Sequence, residues 1–134
     1  MTEIIRTPDV ADGIRIYLAG LNPGAEVTAG TTPTSFPLAS VNIKRTGGYK
    51  RDLVTDMAQI SIDCRHGKSE AEADAIMRLV DAQLYAGARE GQIGPLTVHD
   101  VTTFAGPYDN PDPNNPKYYR STATYQVAVR MGVA

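Results

Sequence analysis

The chain has 134 residues, 42% of them hydrophobic and 21% charged, which is typical of one globular domain with its own core. Its formal net charge of −2 is too small to indicate nucleic acid or an anionic membrane as a partner. The single cysteine, Cys64, excludes an intrachain disulfide and a zinc site built on cysteines. There is no apolar signal-peptide core and no membrane-spanning apolar run, so we expect no membrane contact and assembly in the cytoplasm.

The N-terminal segment predicts one helix followed by an irregular stretch. Thr7 can cap a helix that has Pro8 at its first position, and apolar residues then recur at helical spacing as far as Gly20. The Thr- and Pro-rich residues 25–35 indicate a loop or a short edge strand.

Two strands are predicted next. Residues 36–45 alternate as a plausible strand, Gly47-Gly48 indicates a turn, and the polar, basic residues 49–55 indicate a loop. Residues 57–65 alternate more clearly between apolar and polar side chains, which predicts a strand with one buried and one solvated face.

The strongest predicted element is a helix over residues 69–86. Ser69 and Glu72 match a capping box, and Gly87 is a natural stop. An apolar stripe at helical spacing faces the core and is formed by Ala73, Ile76, Met77, Val80 and Leu84.

The C-terminal third predicts two strands separated by a loop. Residues 96–104 alternate weakly, and residues 120–131 form a long alternating strand. Between them, residues 107–116 contain four prolines, so we predict an extended, exposed loop.

These elements predict an α+β fold in which a mostly antiparallel sheet of about four strands carries two main helices packed on one face. The whole chain, residues 1–134, is expected to form a single domain. Extended loops are expected near residues 22–35, 47–55 and 107–119.

Candidate catalytic and metal-binding groups are few. His66 and His99 are the only histidines and lack the spacing of metal ligands. A thiolate pair of Cys64 and His66 is one hypothesis, but Cys64 continues the apolar face of its strand, so we interpret it as part of the core. Asp109 and Asp112 lie in a loop without the ligand spacing of a calcium-binding loop. We therefore predict no catalytic residue, no metal and no cofactor.

Charge is distributed unevenly along the chain. Basic residues concentrate between positions 44 and 68, whereas the following helix is acidic on its exposed side. This asymmetry suits head-to-tail packing of identical subunits, and it would also suit contact with a phosphate backbone. An ordinary solvated surface of mixed charge is the alternative interpretation. The candidate contacts to neighbouring subunits or other partners are Lys44, Arg45, Lys50, Arg51, Arg65, Asp74, Asp81, Tyr108, Tyr118, Tyr119 and Arg120.

Three segments together carry a resemblance to a known family. They are the Pro-started helix PDVADGIRIYLAGL, the strand-to-helix join DMAQISIDCRHGKSEAEADAIMRLVDAQL, and the final strand with its preceding loop, NNPKYYRSTATYQVAVR. In order and local texture the chain resembles the tail terminator proteins of long-tailed bacteriophages, also called tail completion or minor tail proteins. The resemblance spans nearly the whole chain, and its motifs are architectural rather than catalytic.

The resemblance implies a structural virion protein of the tail or neck. Such proteins form a homohexameric ring on the head-proximal end of the tail tube, stop tube polymerisation and provide the surface for the head–tail connector. DNA passes through the ring without sequence-specific contact. The alternatives are a head-completion or connector adapter protein, a small enzyme that uses Cys64 and His66, and a nucleic-acid-binding module that uses the basic strands.

Overall fold

The computed structural model describes residues 4–31 and 36–133, and within them a mixed six-stranded sheet carries two helices. The strand order is β2-β3-β4-β7-β6-β5, and β1 pairs with β8 in a separate two-stranded ribbon. In chain order the elements are β1 (Ile5–Arg6), α1 (Val10–Gly20), β2 (Glu26–Ala29), β3 (Ala39–Lys50), β4 (Thr55–His66), α2 (Glu70–Glu90), β5 (Gln92–Ile93), β6 (Leu96–Asp109), β7 (Tyr119–Arg130) and β8 (Gly132–Val133).

The predicted sheet of about four mostly antiparallel strands is wrong. Across residues 4–31 and 36–133 the main sheet has six strands, and its edge strand β2 runs parallel to β3. Strand β2 lies in the Thr- and Pro-rich segment, where an edge strand was one of two interpretations; residues 32–35 of that segment lie outside the described residues. Strands as short as β2 and β5 contain too few residues to show an alternating pattern.

The predicted turn at Gly47-Gly48 is also wrong, because both glycines lie inside β3. The pairing of β3 with β4 shifts register between Arg45 and Gly47, which marks a β-bulge. Gly48 has a φ of +125°, and a Cβ at this position would collide with the carbonyl oxygen of Met57. These glycines therefore permit close approach of two strands, and the chain reverses beyond them, at residues 51–54.

The two helices differ from prediction at their ends. Asp9, not Thr7, caps α1, since its side chain accepts a hydrogen bond from the Asp12 N–H at 3.1 Å. Helix α2 begins as predicted, with the Ser69 hydroxyl accepting from the Glu72 N–H at 3.2 Å. It continues through Gly87 to Glu90 and ends at Gly91, which adopts a left-handed conformation. Gly87 does not end the helix; its missing side chain instead lets Ile93 pack closely against it.

One face of the sheet holds the core. On β4 the alternating residues Ala58, Ile60, Ile62 and Cys64 are fully buried, as their pattern predicts. They pack with the apolar residues of α2 and α1 in one cluster. Full burial of each isoleucine contributes on the order of 1.5–3 kcal/mol, so this strand–helix pairing stabilises the domain strongly. Neither of the described helices covers the opposite face, which is called the open face below.

The sheet has two distinct ends along its strands. The β3–β4 turn lies at the start of β4, and the loop between β6 and β7 lies at its finish, where His66 pairs with Tyr119. Strand β4 has 12 residues, so at about 3.4 Å per residue the two ends are about 37 Å apart. They are called the hairpin end and the loop end.

Candidate functional site

Four charged side chains gather on the open face at the loop end, and they form the charge cluster: Asp63, Arg65, Asp112 and Arg120. The Arg65 Nη2 lies 3.3 Å from Asp112 Oδ2 and 3.8 Å from Asp63 Oδ2, and Arg120 Nη1 lies 3.7 and 3.9 Å from the same two oxygens. Arg65 and Arg120 are direct cross-strand neighbours. Like charges in that position repel each other, so the two shared carboxylates are what permits the pair.

Arg65 is the most deeply buried charge of this cluster. It is only 1% exposed, and its guanidinium carbon lies 4.5 Å from the centre of the Phe36 ring. Within the described residues, its Nε and Nη1 and the nearby Ser40 hydroxyl have no hydrogen-bond partner. An incompletely satisfied buried ion pair adds little net stability, but breaking it is costly. The ion pair of Arg65 and Asp112 therefore fixes the position of the β6–β7 loop, which contains Asp112.

Asp112 ties the Pro-rich loop to the sheet. It is 7% exposed and accepts hydrogen bonds from the Asn114 N–H at 3.0 Å and from Asn115 Nδ2 at 3.1 Å. Burial acts to raise the pKa of Asp112, but the bonds from Asn115 and Asn114 and the two guanidinium groups outweigh it and hold the pKa below its usual range. The prediction of a fully exposed loop is wrong at this residue, because a partner distant in sequence buries it.

A groove opens beside this loop, on the helix side of the sheet. One part, of about 480 Å³, lies between the first two turns of α2 and the ends of β6 and β7. An adjoining part of about 510 Å³ lies between the same strands and the Pro-rich loop. Both parts share Glu70, Asp109, Tyr119 and Arg120 as walls, so they form one continuous surface, the end groove. Its rim is acidic and its walls carry tyrosine and proline.

The hairpin end has the opposite character. The last two residues of β3 and the turn that follows, residues 49–54 together, are called the hairpin tip. The tip contains Lys50 and Arg51 beside three exposed apolar side chains. Leu53 is 86% exposed, Tyr49 58% and Val54 43%. The tip combines positive charge with apolar surface that nothing else in the described residues covers.

Hydrogen bonds hold the backbone of the hairpin tip. The Arg51 N–H donates to the Thr55 carbonyl at 3.0 Å, and the Val54 N–H donates to the Asp52 carboxylate at 2.9 Å. The bond from the Val54 N–H lowers the pKa of Asp52. The Met131 N–H donates to the Val54 carbonyl at 2.7 Å. The exposed apolar side chains are thus presented on a fixed frame.

Some predicted contact residues are engaged inside the subunit. Arg45 makes a bidentate ion pair with buried Asp56, at 2.6 and 2.8 Å, which raises the pKa of Arg45. Asp81 accepts a hydrogen bond from the Tyr125 hydroxyl at 2.6 Å and so faces the sheet. The Tyr118 hydroxyl donates to the Phe36 carbonyl at 2.7 Å. These contacts leave Arg45 and Asp81 little freedom to meet a neighbour.

The other predicted contacts divide between the two ends. Lys50 and Arg51 lie in the hairpin tip, whereas Arg65 and Arg120 lie in the charge cluster. Of the remaining ones, Lys44 is exposed in the middle of β3, and Tyr108 lies on the open face. Asp74 lies on the groove wall, where it forms an ion pair with Arg78 at 3.0 Å. Tyr118 and Tyr119 line the groove. The basic residues therefore do not form one stripe, which weakens the hypothesis of a nucleic-acid-binding module.

Cys64 lies in the core, as interpreted from its strand position. It is fully buried, its sulfur lies 3.6 Å from that of Met77, and burial raises the pKa of its thiol. His66 Nδ1 accepts hydrogen bonds from the N–H groups of Lys68 and Ser69. Cys64 and His66 thus contact different groups and do not form the thiolate pair considered from the sequence. Within residues 4–31 and 36–133, no group of three His, Cys, Asp or Glu side chains could hold a metal ion.

Two important residues escaped sequence reasoning. Asp112 was considered only as a calcium ligand, because its partner Arg65 lies 47 positions away and no local pattern connects them. Leu53 was passed over inside a polar turn. A single exposed leucine carries no signal, because isolated surface hydrophobic residues are ordinary. The informative feature is the group of Tyr49, Leu53 and Val54, which only the fold brings together.

No protein-family model matches the chain, and no curated protein matches its sequence. Among the described helices, neither is long and apolar enough to cross a membrane. The function is therefore inferred from the surfaces described above and from the resemblance of the sequence.

Proposed function

We propose that the chain is a structural subunit that forms a ring, as a homohexamer, on the head-proximal end of a long-tailed phage tail tube. There it ends tube polymerisation and provides the surface to which the head–tail connector binds. It works by shape and contact, without a catalytic residue or a cofactor. Its partners are other copies of itself, the tube protein and the connector, and its final location is the neck of the virion.

One observation carries the proposal beyond the resemblance. The two segments expected to make assembly contacts, the β3–β4 turn and the β6–β7 loop, emerge at opposite ends of one continuous sheet. Each is held in place by its own hydrogen bonds. A ring subunit needs two such surfaces, because every copy must contact a neighbour on each side.

The open face suits the passage of DNA through such a ring. Its centre is mainly polar, with Gln59 and Ser61 on β4 beside Gln126 and Thr124 on β7. Exposed Lys44 of β3, which pairs with Ser61, adds one positive charge there. Retention of a phosphate backbone requires lysine or arginine contacts that release counterions. A mainly polar face with a single lysine near its centre would instead let DNA pass without sequence-specific binding.

Deletion of the gene from its phage tests the proposal. Electron microscopy of the lysate should then show overlong tails without heads, because nothing stops tube growth. Filled heads that leak DNA beside tails of normal length would instead indicate the adapter function. Virions of normal tail length and normal infectivity would overturn both.

A test on the purified chain complements the genetic one. Light scattering should detect ring-sized oligomers, either alone or once the tube protein is added, and electron microscopy should show a ring on the tube end. A monomer at every concentration, together with bare tube ends, would contradict the proposal. The combined result matters, because subunits of such rings can remain monomeric until they meet the tube.

A further inference from the structure

We propose that the hairpin tip of one copy docks into the end groove of the next copy. This inference rests on the proposed function, since it names the contact through which the subunits of the ring join. The occupant of the groove is thus a second copy of this chain, and its binding element is the turn that carries Leu53.

The geometry makes the contact intermolecular. Tip and groove lie at opposite ends of β4, about 37 Å apart along a strand of 12 residues. Strand β4 is paired along its whole length with β7, so the tip cannot fold back on its own groove. In the part of the chain that the structure describes, each copy therefore offers one unfilled groove and one unburied tip.

The charges of the two surfaces are complementary. The groove walls carry the exposed carboxylates of Glu70 and Asp109. Asp74 is paired with Arg78, and Asp112 is buried against Arg65 and Arg120, so these two add little to the attraction. The tip presents Lys50 and Arg51, with Asp52 as its only acid and 3.5 Å from Arg51. Facing patches of opposite sign accelerate association and disfavour contact of tip with tip or groove with groove.

The apolar surfaces match as well. The tip exposes Tyr49, Leu53 and Val54. The part of the groove under the loop is walled by Pro111, Pro113 and Pro116 with Tyr118 and Tyr119. Burial of the leucine in such a pocket removes its apolar surface from water and so favours docking. Prolines and tyrosines also lose little conformational freedom on binding, so most of this contribution is retained.

Both partners are ordered before they meet. The tip is fixed by the bonds from Arg51 and Val54 described above. On the groove side, the Asn110 N–H donates to the Arg120 carbonyl at 2.9 Å, and Arg120 Nε donates back to the Asn110 carbonyl at 2.7 Å. Docking therefore requires little reorganisation, which preserves affinity.

A contact of tip in groove is heterologous, with different surfaces on the two partners. Repetition of such a contact gives a closed ring when the rotation between copies returns to its start. One turn in one groove is a small interface, below the roughly 1,000 Å² of a stable complex. We therefore expect assembly that depends on concentration and weakens as salt increases, until ring closure or the tube adds further contacts.

Site-specific photo-crosslinking tests the docking. A photoreactive benzoylphenylalanine is placed at position 53 of the full chain, and the same group at Leu79, an exposed leucine of α2, serves as the control. After irradiation at increasing protein concentration, intermolecular crosslinks are mapped by mass spectrometry. The expected crosslinks from position 53 fall on residues 70–74 and 109–121, and those from position 79 do not.

The outcomes separate this inference from the proposed function. Oligomers whose crosslinks from position 53 fall elsewhere overturn the docking but leave the ring intact. Absence of any intermolecular crosslink from position 53 at millimolar concentration also overturns the docking, since mass action would populate even a weak contact. In both cases termination of tail tubes is measured independently, and only its absence contradicts the proposed function.

Discussion

The two ends of the sheet use similar residue types in opposite ways. The β6–β7 loop buries its central charge, Asp112, which is 7% exposed against Arg65 and lies among exposed prolines. The β3–β4 turn buries no charge and instead displays Leu53, which is 86% exposed. Both segments are polar in sequence. The β6–β7 loop, however, borders a groove and is held by an internal ion pair, whereas the β3–β4 turn exposes apolar side chains.

This difference shows that charge content alone does not locate a contact surface. The carboxylate of Asp112 is paired with Arg65 inside the subunit and so supports the fold. The exposed side chain of Leu53 packs against nothing that the structure describes and is a candidate for binding. The charge cluster should therefore matter for stability and the hairpin tip for association. The predictions below test that division.

The largest loss of stability is expected from Asp112→Ala. The substitution leaves the Arg65 guanidinium buried without its closest carboxylate, so unfolding free energy should fall by about 3 kcal/mol. Urea unfolding of the purified chain measures the change. Asp109→Ala, an exposed carboxylate on the rim of the same groove, is the matched control and should change stability by less than about 0.5 kcal/mol.

A double substitution tests whether the loss in Asp112→Ala comes from leaving the Arg65 charge buried without its partner. Replacing Arg65 by Met together with Asp112 by Leu removes both charges, and it should cost far less than Asp112→Ala alone. Equal losses for the single and the double variant would mean that the loop is held by something other than the ion pair.

Gly48→Ala should destabilise the hairpin end. Its φ of +125° disfavours any side chain, and the new Cβ would collide with the Met57 carbonyl oxygen. A loss of about 2 kcal/mol is expected, measured by urea unfolding. At Gly106 a Cβ would meet nothing within 4 Å, so Gly106→Ala should have little effect. Similar losses at the two glycines would refute the close approach at the bulge.

The charge cluster should also make the free energy of unfolding depend on pH in the acidic range. The pKa of Asp112 is depressed in the folded chain, so its contribution is fully present above the unfolded value of about 3.9 and is lost as the pH falls through the folded value. The stability difference between the wild-type chain and Asp112→Asn should therefore shrink below about pH 4. A difference that stays constant down to pH 2 would show that folding does not shift the pKa of Asp112.

The smallest effect on stability is expected at the hairpin tip. Leu53→Asp changes an exposed side chain, so unfolding free energy should shift by less than about 0.5 kcal/mol. Self-association should weaken about tenfold, because the new carboxylate would enter an acidic groove. Sedimentation equilibrium measures the association, and Leu79→Asp, at a leucine that is 44% exposed, should leave it unchanged.

The sequence predicted what depends on local pattern and missed what depends on distant partners. Period-two alternation located β4, and Ser69 located the start of α2, because both signals lie within a few residues. The parallel pairing of β2 and the extension of β3 past its glycines depend on neighbouring strands. The burial of Asp112 depends on Arg65, and no single-sequence pattern reports such a pair.

The central claim is that this chain ends tail tubes as a ring, and tube length measures it most directly. The tube protein of the same phage is polymerised with and without stoichiometric amounts of the chain, and tube lengths are measured by electron microscopy. The account predicts shorter tubes that carry a ring at one end. Tubes of unchanged length with bare ends would contradict it.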